Sequence, residues 1–245
     1  NIRSEVIIMA LPKVGYPTYE LELPSTGKTV KYRPFLVKEE KVLLLALESE
    51  DEKQITNAVK DLIKNCVISR IKVDQLPIFD LEYIFLNIRA ASIGESITLT
   101  VTCQDDNETK VDVKIPISAI EVFKPEGHSP KIEFDEEFGV VMNYPSMKRF
   151  IELDFLSKDL DTDEVFALIA ESIDQIYQGE DVFDSTTTTK KEFREFLDSL
   201  TTTQFEKIQE FYQTSPKLRH SFKVTNPKTG VESEYVLEGL QSFFA

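Results

Sequence analysis

The sequence of 245 residues contains no tryptophan, only two cysteines and only two histidines. Two cysteines form at most one disulfide, too few to hold a secreted chain of this length, so we expect synthesis in a reducing, intracellular compartment. A Ser-His-Asp or Cys-His group would have to use His128 or His220, and neither lies in a nucleophile motif. We therefore predict no catalytic residues. The alternative is a hydrolase, acting for instance on the cell wall, that uses two of the many carboxylates.

Long hydrophobic segments are also missing. The longest apolar run, residues 42–47, is far shorter than the roughly 20 residues that span a bilayer, so no membrane span is predicted. The first residues include Glu5 and are too few for a signal peptide. Met9-Ala10-Leu11-Pro12 resembles a natural translation start, and we interpret residues 1–8 as an N-terminal extension.

Positive charge is scarce, with 28 Lys and Arg against 43 Asp and Glu and a net charge of −15. This balance argues against nucleic acid as a partner, because phosphate binding needs a concentrated positive field. Residues 1–124 hold 16 basic and 19 acidic residues, whereas residues 125–245 hold 12 and 24. The acidic second half is either a well-solvated surface or a surface that attracts a basic partner.

Metal and cofactor sites are not predicted either. Cys66 lies on the apolar stripe of a helix and is expected in the core. Cys103 lies at a hairpin tip, where a zinc knuckle would need a second cysteine nearby. The turn at residues 225–230 has the outline of such a knuckle without cysteines. Gly27-Lys28-Thr29 is not a phosphate-binding loop, because Glu22 stands where the first glycine belongs.

What the sequence does contain is one pattern repeated three times. Apolar and polar residues alternate on both sides of a turn rich in Gly, Pro or Asn at residues 19–33, 96–115 and 221–237. Alternation with period two around such a turn predicts a β-hairpin with one buried face.

Helical periodicity connects these hairpins. Helices are predicted at residues 37–47, 53–66, 79–91 and 162–177, and the first is expected to be buried because leucines cover most of its circumference. Capping boxes at Thr189 with Glu192 and at Thr203 with Glu206 open two further helices rich in Phe. The predicted fold is α+β, with amphipathic helices packed against three β-hairpins in two sub-domains.

The sub-domain boundary is placed at residues 124–130, which contain two prolines, a glycine and no large apolar residue. It divides a hairpin-helix-hairpin domain, residues 9–124, from a helix-rich acidic domain, residues 125–245, that ends in a hairpin.

Aromatic residues near the C-terminus have two interpretations. They pack in the core, or some face outward and form an interaction patch. The candidates for that patch are Phe205, Phe211, Tyr212, Phe243 and Phe244.

Residues 17–41, with Leu23-Pro24-Ser25-Thr26-Gly27-Lys28 at their turn, resemble the N-terminal block of the T4-like phage baseplate protein family, which comprises small hub subunits and hub-assembly proteins. Residues 216–220 and 237–244 are similar to the end of that family. Some relatives carry cysteine pairs at the hairpin turns, and this chain lacks them.

The resemblance implies a non-enzymatic structural or assembly protein of the contractile-tail baseplate hub. Its partners would be other phage baseplate hub proteins. It would be made in the host bacterial cytoplasm and then either join the virion tail baseplate or act as an assembly chaperone absent from the mature virion.

Overall fold

A computed structural model describes residues 15–49, 51–146, 162–239 and 242 of the chain. These residues contain six α-helices and eleven β-strands, which confirms the predicted α+β class. The helices are α1 (Val37–Glu48), α2 (Glu52–Cys66), α3 (Ile78–Ile93), α4 (Thr162–Ser172), α5 (Lys190–Ser199) and α6 (Thr202–Gln213). The strands are β1 (Tyr19–Glu22), β2 (Thr29–Tyr32), β3 (Ser96–Thr102), β4 (Lys110–Pro116), β5 (Glu121–Phe123), β6 (Lys131–Glu133), β7 (Phe138–Met142), β8 (Ile173–Gln178), β9 (Asp181–Asp184), β10 (Lys217–Thr225) and β11 (Glu232–Glu238).

The three predicted hairpins are present, and each pairs antiparallel. Strands β1 and β2 form the first, β3 and β4 the second, and β10 and β11 the third. In each, one face is apolar: Leu21 opposes Val30, and Phe222 opposes Tyr235. The period-two alternation is therefore explained by burial of one face of each ribbon.

The third hairpin belongs to a three-stranded sheet. Strand β10 begins at Lys217, earlier than predicted, and its first residues pair with β5. Leu218 is fully buried against Leu86 and Ile97, which lie in the first half of the chain. The sheet thus crosses the predicted boundary near residue 124, and the division into residues 9–124 and 125–245 stays a prediction.

A four-stranded antiparallel sheet, in the order β6-β7-β8-β9, is the main feature that the sequence reading missed. The helix predicted at residues 162–177 was wrong in its last five residues, because α4 ends at Ser172 and β8 begins at Ile173. Strand β8 pairs with β7 on one side and β9 on the other, so both neighbours satisfy its backbone groups. This pairing outweighs the helical spacing of Ile173 and Ile176, which are β-branched and favour strands.

Gly139 allows the close packing inside this sheet. A β-carbon at that position would collide with the carbonyl oxygen of Ile132 and with the ring of Tyr177. Glycine in a central strand often marks such a close approach, and here it lets β6, β7 and β8 lie together.

Helix α1 is not the buried central helix that the sequence predicted. It buries Glu39, Leu43 and Ala46, while the opposite face is open to solvent. Its start is fixed by Glu39, whose carboxylate accepts a hydrogen bond from the backbone N–H of Leu36 at 2.7 Å and pairs with Arg33 at 3.0 Å.

Two capping boxes open α5 and α6. Thr189 with Glu192 caps α5, as predicted. Helix α6 is capped by Thr201 with Gln204, so the predicted pair Thr203 with Glu206 was displaced by two residues. The backbone N–H of Gln204 donates to Thr201 Oγ1 at 3.3 Å, which satisfies one of the free donors of the first turn.

The buried side chains of the described residues form three hydrophobic clusters, and the two that share Tyr83 on α3 together make the first core. This core joins hairpins one and two to α1, α2 and α3, and includes the face of β10. The second lies between the four-stranded sheet and helices α4, α5 and α6. Within the described ranges, no helix combines the length and apolar character needed to cross a membrane.

Candidate interaction surfaces

Three of the five aromatic residues proposed from the sequence are described, and they are buried or partly buried. Phe211 is buried, with 3% of its surface exposed, so it does not form part of a surface. Phe205 and Tyr212 are partly buried against the second core, where the Phe205 ring stacks on Phe166 with centroids 4.9 Å apart. A contact role for Phe205 and Tyr212 stays a prediction, and Phe243 and Phe244 lie outside the described residues.

Phe211 instead completes an aromatic stack around a buried histidine. Its ring lies 5.3 Å from His128 and 5.4 Å from Tyr144. The two ring nitrogens of His128 are hydrogen-bonded to the hydroxyls of Thr214 and Tyr144, at 2.9 and 3.1 Å. Burial, assisted by the nearby Lys124 charge, lowers the pKa of His128, so the ring is neutral at pH 7 and serves packing.

The exposed side of α1 is the clearest apolar surface in the described residues. Val37 is 79% exposed, and three further apolar residues are 52–55% exposed: Val42, Leu44 and Leu45. An apolar helix face left open to water is typical of a protein contact site. We call these four residues, together with Lys41 and Glu48 that lie among them, the α1 face.

Charged residues are interleaved with the α1 face. Lys41 and Glu48 are exposed and seven positions apart, so they lie on nearly the same line along the helix, two turns from each other. Leu44 and Leu45 lie between them. The face therefore has a positive end, an apolar centre and a negative end.

A shallow groove borders the α1 face on the side of α2. It has a volume of about 300 Å³ and is lined by Val42, Ala58 and Leu62, with Lys38 and Asp61 among its polar residues. The groove extends the apolar surface beyond α1 itself.

Five of the 24 acidic residues of the second half lie together at one end of the four-stranded sheet. The turn between β6 and β7 contributes Asp135, Glu136 and Glu137, and the turn after β8 contributes Glu180 and Asp181. The two turns touch, because the N–H of Gly179 donates to the carbonyl of Glu137 at 2.8 Å. We call these five carboxylates the acidic end.

The second and third hairpins meet at their tips through hydrogen bonds. The amide of the buried Asn226 donates to both carboxylate oxygens of Asp105, at 3.0 Å each, and the Thr229 hydroxyl also donates to Asp105. Tyr235 donates to the carbonyl of Thr102 at 2.9 Å. The knuckle-like turn at residues 225–230 is thus held to the neighbouring hairpin by polar side chains.

In the described part of the chain the two thiols are buried, and no cluster of side chains is placed to hold a metal ion. Cys66 and Cys103 are buried and free, and burial raises the pKa of Cys66 to about 11, which keeps it a thiol. Burial, with Asp105 and Asp106, also raises the pKa of Cys103. No group of three His, Cys, Asp or Glu residues in the described ranges is placed to hold a metal ion.

Sequence reasoning missed both the α1 face and the acidic end. For α1 the signal was present, because Lys38, Lys41 and Glu48 occupy the same arc as Leu44 and Leu45, and charges on an arc indicate exposure. For the acidic end no local signal existed, since its two turns meet only once β7 and β8 pair.

Comparison with protein families gives one match across most of the chain. A family model described as T4 bacteriophage base plate protein matches residues 16–245. Searches of curated proteins and of solved structures find no match.

Proposed function

The chain belongs to the T4 bacteriophage base plate protein family, and from this premise we propose that it is a non-enzymatic structural or assembly protein of the baseplate hub. In this proposal it acts through contacts with other hub proteins, first in the host cytoplasm and then at the tail baseplate. Protein contact requires an exposed and chemically distinct surface, and the acidic end meets that requirement.

The observation that carries the hub contact is the segregation of charge. Residues 125–245 have twice as many acidic as basic residues, and five exposed acidic residues meet at the acidic end. Such a concentration speeds encounter with a basic surface and orients it. We propose that the acidic end binds a basic hub component and holds it during assembly.

Binding of purified hub proteins at several salt concentrations tests this contact. Affinity for the basic component is expected to fall as salt rises, because salt screens exposed charges over about 10 Å at 0.1 M. The variant E136Q/E137Q/E180Q should weaken binding about 10-fold at low salt. The matched control D198N/E206Q/E210Q removes the same charge from α5 and α6 and should change affinity much less.

Two results contradict the proposed contact. If affinity does not change with salt concentration, the contact is not electrostatic. If the two triple variants lose affinity equally, only the total charge of the chain matters and not the acidic end.

Mass spectrometry of purified virions and of the infected-cell lysate distinguishes a structural subunit from an assembly protein. Stoichiometric amounts in virions identify a permanent subunit, whereas abundance in the lysate without virion peptides identifies an assembly chaperone. Presence in neither fraction contradicts the hub role.

A further inference from the structure

The α1 face is complementary to itself. We propose that it binds the same face of a second copy of this chain, with the two α1 helices antiparallel about a two-fold axis. The inference goes beyond the hub role and stands on the arrangement of α1 alone.

The apolar centre provides the reason for association. Leu44 and Leu45 are both more than half exposed, although neighbouring Leu43 is buried against the first core. Covering both leucines removes apolar surface from water, the dominant favourable term in most protein association. A two-fold axis between them places Leu44 of each copy opposite Leu45 of the other.

The charges select the second copy and the antiparallel direction. With the axis between Leu44 and Leu45, Lys41 of one copy lies opposite Glu48 of the other, and the symmetry repeats this pair. A parallel arrangement would instead set Lys41 against Lys41 and Glu48 against Glu48. Antiparallel packing also places the positive N-terminus of each helix beside the negative C-terminus of its partner.

Neither charge is committed elsewhere. The side chains of Lys41 and Glu48 make no ion pair or hydrogen bond with another side chain in the described ranges. By contrast, neighbouring Lys38 and Glu39 already form an ion pair at 3.4 Å. The two-fold arrangement pairs these two charges, whereas Glu40, the other α1 charge without such a partner among the described residues, lies away from the line that joins Lys41 and Glu48.

The size of α1 limits the strength of the dimer. Twelve residues give a helix about 18 Å long, and two such helices cover less than the roughly 800 Å² per partner of a standard interface. We expect dissociation constants on the order of 10 µM, so the dimer forms and separates with concentration.

Sedimentation equilibrium of the purified full chain tests the proposal. The mass should rise from 28.1 kDa toward twice that value as concentration increases to about 200 µM. L44E/L45E should weaken association at least about 100-fold, because it buries charge at the centre. The control V182E changes an equally exposed valine on β9 and should leave association unchanged.

A charge exchange tests the register. K41E and E48K should each weaken association about 10-fold, because each replaces two attractive pairs by two repulsive ones. The double variant K41E/E48K restores opposite charges and should return to within about two-fold of the unaltered protein. Far-ultraviolet circular dichroism of each variant checks that the fold is retained.

Three results would overturn the dimer. The chain stays at 28.1 kDa at every concentration, which would assign the α1 face to a different protein. The second is a dimer that L44E/L45E leaves intact, which would show that the two leucines do not form its centre. The third is a double variant, K41E/E48K, that associates as weakly as the single variants. The sedimentation experiment uses the purified chain alone, so absence of a dimer does not contradict the hub role. In the same way, absence of hub binding does not contradict the dimer.

Discussion

The two cores of this protein are stabilised by different chemistry. The first core is mainly aliphatic and encloses ionisable side chains, including Arg33, Glu39 and Asp80. The second is rich in aromatic rings, and the histidine stacked against it, His128, is held neutral. Charges inside the first core fix its elements in place: Glu39 sets the start of α1, and Asp80 accepts two hydrogen bonds from Ser25 in the first hairpin turn. The first core therefore depends on specific polar pairs, and the second depends on ring packing.

Breaking the polar pair of the first core should have the largest effect. E39Q leaves the buried guanidinium of Arg33 without its counter-charge, and we expect a loss of about 3–5 kcal/mol in the free energy of unfolding. Urea denaturation measures it. The control E40Q, one position along the same helix, should stay within about 0.5 kcal/mol, and an equal loss in both variants would show that the buried pair has no special role.

Adding a side chain inside the sheet of the second core should have the next largest effect on the free energy of unfolding. G139A places a β-carbon against the Ile132 carbonyl and the Tyr177 ring, and we expect a loss of about 1–3 kcal/mol. G15A is the matched control, since a β-carbon there has no neighbour within 4 Å. Thermal melts of the two variants compare them, and an unchanged G139A melt would contradict the close approach of β6, β7 and β8.

Removing one ring from the aromatic stack should have a smaller effect on the free energy of unfolding. F211L keeps an apolar side chain but removes the ring that stacks on His128 and Tyr144, and we expect a loss of about 1–2 kcal/mol. The same substitution at the exposed Phe183 should cost little. Near-ultraviolet circular dichroism should change for F211L alone, and a change of equal size for F183L would argue against an ordered stack.

Acid should destabilise the two cores in different pH windows. Burial lowers the pKa of His128 below its ordinary 6.5, so the unfolded chain takes up the proton more readily and stability falls as the pH drops through 6.5. Burial alone would raise the pKa of Glu39, but Arg33 and the Leu36 N–H lower it below 4.5, so its contribution is lost only in stronger acid.

Chemical denaturation from pH 8 to pH 3 measures both windows. H128Q should flatten the profile between about pH 7 and pH 5 and leave the more acidic part unchanged. E39Q should flatten the more acidic part of the profile and leave the part between about pH 7 and pH 5 unchanged. A profile that neither variant alters would contradict the assignment of these two groups.

The sequence predicted the first and third hairpins because each carries its whole signal locally. The turn at residues 24–28 and that at residues 226–230 lie between alternating strands, and no distant partner is needed to recognise them. The four-stranded sheet is different. Strand β6 has only three residues, and Ile173 and Ile176 of β8 are spaced as they would be on a helix, so only pairing with β7 and β9 decides their conformation.

The candidate site was predicted less well than the fold. Phe211 was considered for a surface, but His128 and Tyr144, distant in sequence, cover it. Conversely, Leu44 and Leu45 were expected in the core, because leucines cover most of the circumference of α1. The sequence pattern does not tell which side of that helix packs against α2. Burial of one helix face is a tertiary property, and here it left Leu44 and Leu45 exposed.

Sedimentation of infected-cell lysates tests the baseplate role most directly. A tagged copy of this chain should travel with hub or baseplate intermediates, and cross-links should join its acidic end to a basic hub component. If the chain sediments as free protein at every stage of infection and cross-links to no tail protein, the account of a baseplate protein that acts through contact is contradicted.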